Sequence, residues 1–171
     1  VKFEEATTFG SLISMDNQEQ DFVDLQNTIE NLVAEGDTLQ KAAAKKLLPL
    51  VIQAKILAKK YDAAIANPPY MGQGYFNASL KYFASTVFKE WSGDLFTCFI
   101  KRMINFLKKN GNLSLITIGT WTFLPTYENM RASFLKEVNF SSIIDNGRGV
   151  WGSDHGSIMF SAAKGVLHHN R

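Results

Sequence analysis

Asn67-Pro68-Pro69-Tyr70 directly follows the apolar run Ala63-Ala64-Ile65-Ala66, and its residue types and order could do chemistry. Prolines fix φ and carry no N–H, so peptide carbonyls beside them can point outward as acceptors instead of pairing in a ladder. The Asn67 side-chain oxygen is a second acceptor. Two convergent acceptors suit an NH2 group, and the ring of Tyr70 gives the planar carrier of that group a surface to stack on. A strand ending in this tetrapeptide therefore reads as a pocket for a flat, amine-bearing group. A Pro-Pro turn that merely caps a strand would satisfy the same four residues, so the surrounding elements have to decide.

Tyr61 to Gly72, Y-D-A-A-I-A-N-P-P-Y-M-G, resembles the catalytic motif of the amino-methylating DNA methyltransferases of the N6-adenine class. Further similarities follow in order. Asp94-Leu95-Phe96-Thr97-Cys98-Phe99 resembles the family's next motif, at the start of a helix on the cofactor side. Lys109-Asn110-Gly111 to Thr117 resembles its turn and strand, Thr120-Trp121 the strand end, and Asn129-Met130-Arg131 to Leu135 the helix after it. Gly149-Val150-Trp151 resembles the aromatic motif that meets the target base, and Phe9 to Ile13 is similar to the large phage-exclusion (BREX) and fused restriction-methylation enzymes.

The resemblance implies an S-adenosylmethionine-dependent adenine-N6 methyltransferase acting on double-stranded DNA, with the adenine flipped out of the helix, in a restriction-modification or phage-defence system that could supply partner subunits. Asn67, Pro68, Pro69 and Tyr70 are the implied catalytic residues. Tyr70 and Trp151 are implied to stack on or meet the base, and Phe96 and Phe99 to touch the cofactor. Adenine N6 is a poor nucleophile because its lone pair is delocalised into the ring. Hydrogen bonds from its two amine hydrogens to Asn67 and the Pro68 carbonyl would restore part of that lone pair. Catalysis would then be mostly positioning and preorganised dipoles, with stacking offsetting part of the cost of extruding the base. Methyltransferases acting on a protein glutamine amide or on guanine N2 of ribosomal RNA share the tetrapeptide. A methyltransferase-like subunit without catalysis is the non-enzymatic alternative.

Composition narrows the classes. With 171 residues, 46% apolar and 20% charged, the chain can build a real core. No apolar run approaches the roughly 18 residues a spanning helix needs, so no membrane association is expected and the reading is cytoplasmic. One cysteine, Cys98, and no Cys/His spacing of zinc type imply no metal. A formal charge of +2 is small for a nucleic-acid binder, which places much of the phosphate grip elsewhere. No Gly-rich cofactor turn precedes Asn67. The expectation is a partial methyltransferase domain, residues 1–171, from a longer enzyme and inactive by itself. An upstream cofactor motif and a downstream target-recognition domain are expected outside it.

The elements that must position these residues follow from periodicity and caps. Phe22, Leu25, Ile29, Leu32 and Val33 recur at helical spacing, with Asp16 or Asn17 as cap and Gly36 as stop. A second helix from Thr38 to Lys60, bent near Pro49, would complete a helical hairpin over 16–60. Residues 61–171 then read as the catalytic sheet and helices. Strands are expected at Tyr61–Ala66, Leu113–Ile118, Ser141–Asp145 and Ser157–Ala162, with helices near Leu80–Glu90, Asp94–Lys109 and Tyr127–Glu137. Alternation predicts an α/β fold, the C-terminal half of a Rossmann-like class I methyltransferase, with a mostly parallel sheet. The last two strands, joined by a short Gly-rich connection with no room for a crossover helix, must be antiparallel.

Overall fold

The computed structural model describes residues 3–15, 18–150 and 156–165. The chain divides into two compact units, Val1–Lys59 and Lys60–Arg171.

The first unit holds a short helix α1 (Ala6–Phe9) and two long ones, α2 (Glu19–Glu35) and α3 (Thr38–Ala58). The expected cap residues Asp16 and Asn17 lie outside the described residues. At the start of α2 the Gln18 N–H donates to the Asp21 carboxylate at 3.1 Å. The turn between α2 and α3 is tight: a Cβ on Gly36 would stand 2.5 Å from the Leu32 carbonyl oxygen, so only glycine fits. Asp37 then caps α3, its Oδ1 accepting from the Gln40 N–H at 2.8 Å while the Gln40 side chain accepts from the Asp37 N–H at 2.9 Å. Ile29, Ala44 and Val51 form the seam, flanked by Val33 and Leu48. The helical hairpin is present, and α3 runs through Pro49 without interruption.

The second unit is a four-stranded sheet with helices. Its elements are β1 (Tyr61–Ala66), α4 (Ala78–Val87), α5 (Leu95–Phe106), β2 (Leu107–Ile118), α6 (Glu128–Glu137), β3 (Val138–Gly147) and β4 (Ser157–Lys164). The strand order is β1-β2-β4-β3. β1 and β2 are parallel, and β4 runs antiparallel to both β2 and β3. The expected antiparallel end pair is therefore present, but the sheet is mixed, not mostly parallel. β4 inserts between β2 and β3, so a single reversed strand makes two antiparallel pairs and leaves only one parallel pair.

Boundaries moved where tertiary contacts outweighed local signals. α5 ends at Phe106 instead of Lys109, because Leu107 is already extended, 1% exposed and bonded through its carbonyl to the Lys164 ammonium at 2.9 Å. The Asn110-Gly111 pair falls inside β2, where Asn110 takes φ of 62° and the ladder jumps from Tyr61↔Leu107 to Ala63↔Asn112. It makes a bulge in the strand in place of a helix stop. Beneath the sheet, Trp121, Phe134, Phe140 and Phe160 pack with ring centroids 5.0 to 6.4 Å apart, and Trp91 meets Phe134 at 5.5 Å.

Candidate active site

β1 ends at Ala66, and Asn67 to Tyr70 leave its carboxyl end as a loop. In this sheet β1 pairs on one side only, so the loop springs from an edge strand. Ligands of open α/β sheets bind at the carboxyl ends of the parallel strands. A cleft of about 930 Å³ opens there. Pro69, Tyr70 and Met71 form one wall, Gly119, Thr120 and Phe123 the floor, and the end of β3 at Asp145 and Arg148 the far side. Arg148 is the only cation among the described residues that line it.

Asn67 is exposed and Pro68 buried. Tyr70 keeps 45% of its surface. Its hydroxyl donates to Asn67 Oδ1 at 3.1 Å and lies 3.5 Å from the Ile116 carbonyl oxygen. Partial burial raises the Tyr70 phenol above its ordinary value, so it stays protonated as a donor. Asn67 itself does not line the large cleft. It stands at the end of a second groove of about 330 Å³, which runs along the sheet past Ile65, Ile116 and Met159. Asn67 and Tyr70 are therefore joined by a hydrogen bond while facing two adjoining depressions.

Phe96 is fully buried and presents its ring edgewise to Tyr70, with centroids 6.1 Å apart at 83°. Its other side meets Tyr127 at 6.0 Å. Phe99, one turn further along α5, is half-buried and lines neither depression. Trp151 lies outside the described residues.

Two positions that the motif reading left without a role hold the cleft together. Asp94, the cap of α5, is 7% exposed and lines the cleft. Burial pushes its carboxyl pKa up, and hydrogen bonds from the Met71, Phe96 and Leu95 amides pull in the opposite direction. Its spacing to Thr97 is that of a capping box, readable in the chain as Asp-x-x-Thr. Arg131 donates through one terminal nitrogen to the carbonyls of Trp121 at 2.8 Å and Leu124 at 2.6 Å, which ties α6 to the segment forming the floor. Nothing local in the sequence signals that partnership.

The floor is closely packed at Gly119: a Cβ there would come within 3.1 Å of the Ile158 side chain, which would have to shift by a few tenths of an ångström, and the Gly119 N–H bonds the Gly156 carbonyl at 3.1 Å. Tyr127 packs against Phe96, its phenol raised by burial and by the nearby Asp94 charge, with a hydrogen bond to the Thr120 side chain acting against both. Cys98 is 0% exposed, and burial with the Asp94 charge holds its thiol up at about 12. Among the described residues no group of three or more His, Cys, Asp or Glu could hold a metal ion, and no helix is long and apolar enough to cross a membrane.

With its strand order, reversed strand and cleft at the carboxyl edge, the sheet is similar in fold to class I methyltransferases. A crystal structure from Listeria monocytogenes, of a protein assigned to the class I S-adenosylmethionine-dependent methyltransferases, matches with a TM-score of 0.52 at 10% identity, covering 93% of this chain and 63% of that one. Residues 3–151 match the family described as Eco57I restriction-modification methylase, and the chain belongs to that family. It is 37% identical over 164 residues to the adenine-specific methyltransferase BrxX of Escherichia coli O9:H4 (strain HS), a match covering 94% of this chain and 13% of that protein. With the adenine-specific methyltransferase PglX of Lacticaseibacillus casei (strain Zhang) it shares 33% identity over 86 residues, 50% of this chain and 7% of that one. The chain thus spans a small part of the length of both relatives.

Proposed function

We propose that this chain is the base-binding part of an S-adenosylmethionine-dependent DNA adenine-N6 methyltransferase working in restriction-modification or phage defence. The observation that carries the reading is the placement of Asn67 and Tyr70. An exposed amide oxygen at the carboxyl end of β1 sits 3.1 Å from the hydroxyl of a half-exposed aromatic ring on a cleft of ligand size. The 33–37% identity to proteins named adenine-specific methyltransferases supports adenine over the other planar amines.

In this reading the flipped adenine enters the large cleft and stacks on Tyr70. Its amine reaches Asn67 Oδ1 and the Pro68 carbonyl. Trp151 meets the base from its edge. Phe96 acts from behind, by fixing the Tyr70 ring, while Phe99 stands on the cofactor side of α5. The groove beside Asn67 fits only part of the cofactor. It is apolar and open, and it carries no acidic side chain to accept ribose hydroxyls among its lining residues. When bound, S-adenosylmethionine supplies an electrophilic methyl group. The chain's own residues orient the amine toward it and hold the base out of water.

The test is radiolabelled methyl transfer to DNA by the full-length parent enzyme. Asn67→Ala removes an acceptor that strengthens as charge develops on the nitrogen, so turnover should fall by about 10²- to 10³-fold. Near wild-type turnover in that variant, or transfer to glutamine peptides or ribosomal RNA in preference to DNA, would overturn the reading.

A further inference from the structure

We propose that Asp94 is a positioning residue, whose carboxylate locks the loop that follows Tyr70 onto the start of α5 and so sets the stacking ring for base capture. The proposal rests on the function given above. One oxygen of Asp94, Oδ1, accepts from the Met71 N–H at 3.0 Å and from the Phe96 N–H at 3.2 Å. The first donor is the residue next to Tyr70. The second belongs to the residue whose ring backs Tyr70 at 6.1 Å. A single oxygen thus holds Tyr70 through its backbone neighbour and holds the aromatic wall behind it.

The surrounding backbone reinforces the same junction. The Leu95 N–H donates to the Met71 carbonyl at 2.9 Å and the Gln73 N–H to the Gly93 carbonyl at 3.1 Å, with an antiparallel bridge between Gly72 and Asp94. These contacts join segments twenty or more residues apart along the chain. Ordinary helix capping would need only the Phe96 bond. The bond to Met71 goes beyond capping, and it is the one that reaches the stacking residue. Both bonds end on one oxygen that acts as an acceptor from backbone amides, so an amide oxygen at the same reach should serve in its place.

Three variants of the full-length enzyme separate the roles. Asp94→Asn keeps an acceptor of the same reach. Asp94→Ser keeps a helix cap but is too short to bond Met71 as well. Asp94→Ala removes both. With tritiated S-adenosylmethionine and unmodified plasmid DNA, Ser and Ala should raise KM for DNA about ten- to hundredfold, and Asn should stay within about threefold of wild type. KM for S-adenosylmethionine should hold in all three. Hydrogen exchange at the Met71 amide should speed up in the Ser and Ala variants and return to the wild-type rate in Asn.

A cap alone would let Ser behave as wild type, which overturns the proposal. So does a fall in kcat at unchanged KM for DNA, since that is the pattern of a loss of folded enzyme. Wild-type enzyme that transfers no methyl group to DNA refutes the proposed function instead. The Met71 exchange then still decides the tether, and unchanged exchange in Asp94→Ser refutes it.

Discussion

Tyr70→Phe is the sharpest probe of the site, because the hydroxyl it deletes occupies the acceptor that the substrate amine is proposed to use. The bond from Tyr70 to Asn67 Oδ1 is 3.1 Å long and exposed to solvent. An exposed neutral hydrogen bond contributes about 0.5–1.5 kcal/mol net, since water replaces it readily. The ring's edgewise contact with Phe96 is untouched by the change. Stability should therefore drop by no more than about 1.5 kcal/mol. On binding, wild-type enzyme breaks the tyrosine bond before the amine can take its place, whereas the Phe variant does not. Relieving that competition lowers KM for DNA by about two- to tenfold at nearly constant kcat. Steady-state methyl incorporation into plasmid DNA by the full-length enzyme measures both constants. A fall in kcat beyond about tenfold would refute the reasoning, because it would place the hydroxyl among the groups needed in the transition state.

Two further outcomes check the walls of the cleft. Arg131→Ala removes two hydrogen bonds that run from α6 to the floor, and should cost about 1–3 kcal/mol in denaturant unfolding. Lysine should restore much of it, because both bonds leave a single nitrogen and an ammonium also offers several donors on one atom, and no restoration by lysine would contradict the assigned geometry. Cys98, fully buried with its thiol held up at about 12, should resist iodoacetamide at pH 8 until denaturant is added. Rapid labelling of the native protein, followed by mass spectrometry, would show that the start of α5 opens more easily than its packing implies.

Local chemistry wrote much of this protein in its sequence. The run Ala63 to Tyr70 marks a strand and the loop leaving it because two prolines cannot continue a ladder. Phe22, Leu25, Ile29, Leu32 and Val33 mark α2 by their helical spacing, and Gly36 marks its stop. The short connection before Ser157 dictates an antiparallel pair by length alone. Each of these signals acts within a few residues, which is why a linear reading finds it. Tertiary structure decided the remainder. It placed β4 between β2 and β3, so that only one pair is parallel. It ended α5 early by burying Leu107, and turned Asn110-Gly111 into a bulge. It buried Phe96 behind Tyr70, and it gave Asp94 a second partner 23 residues away. Those outcomes depend on which distant segments compete for the same buried space and the same donors, and residue type at one position cannot encode that competition.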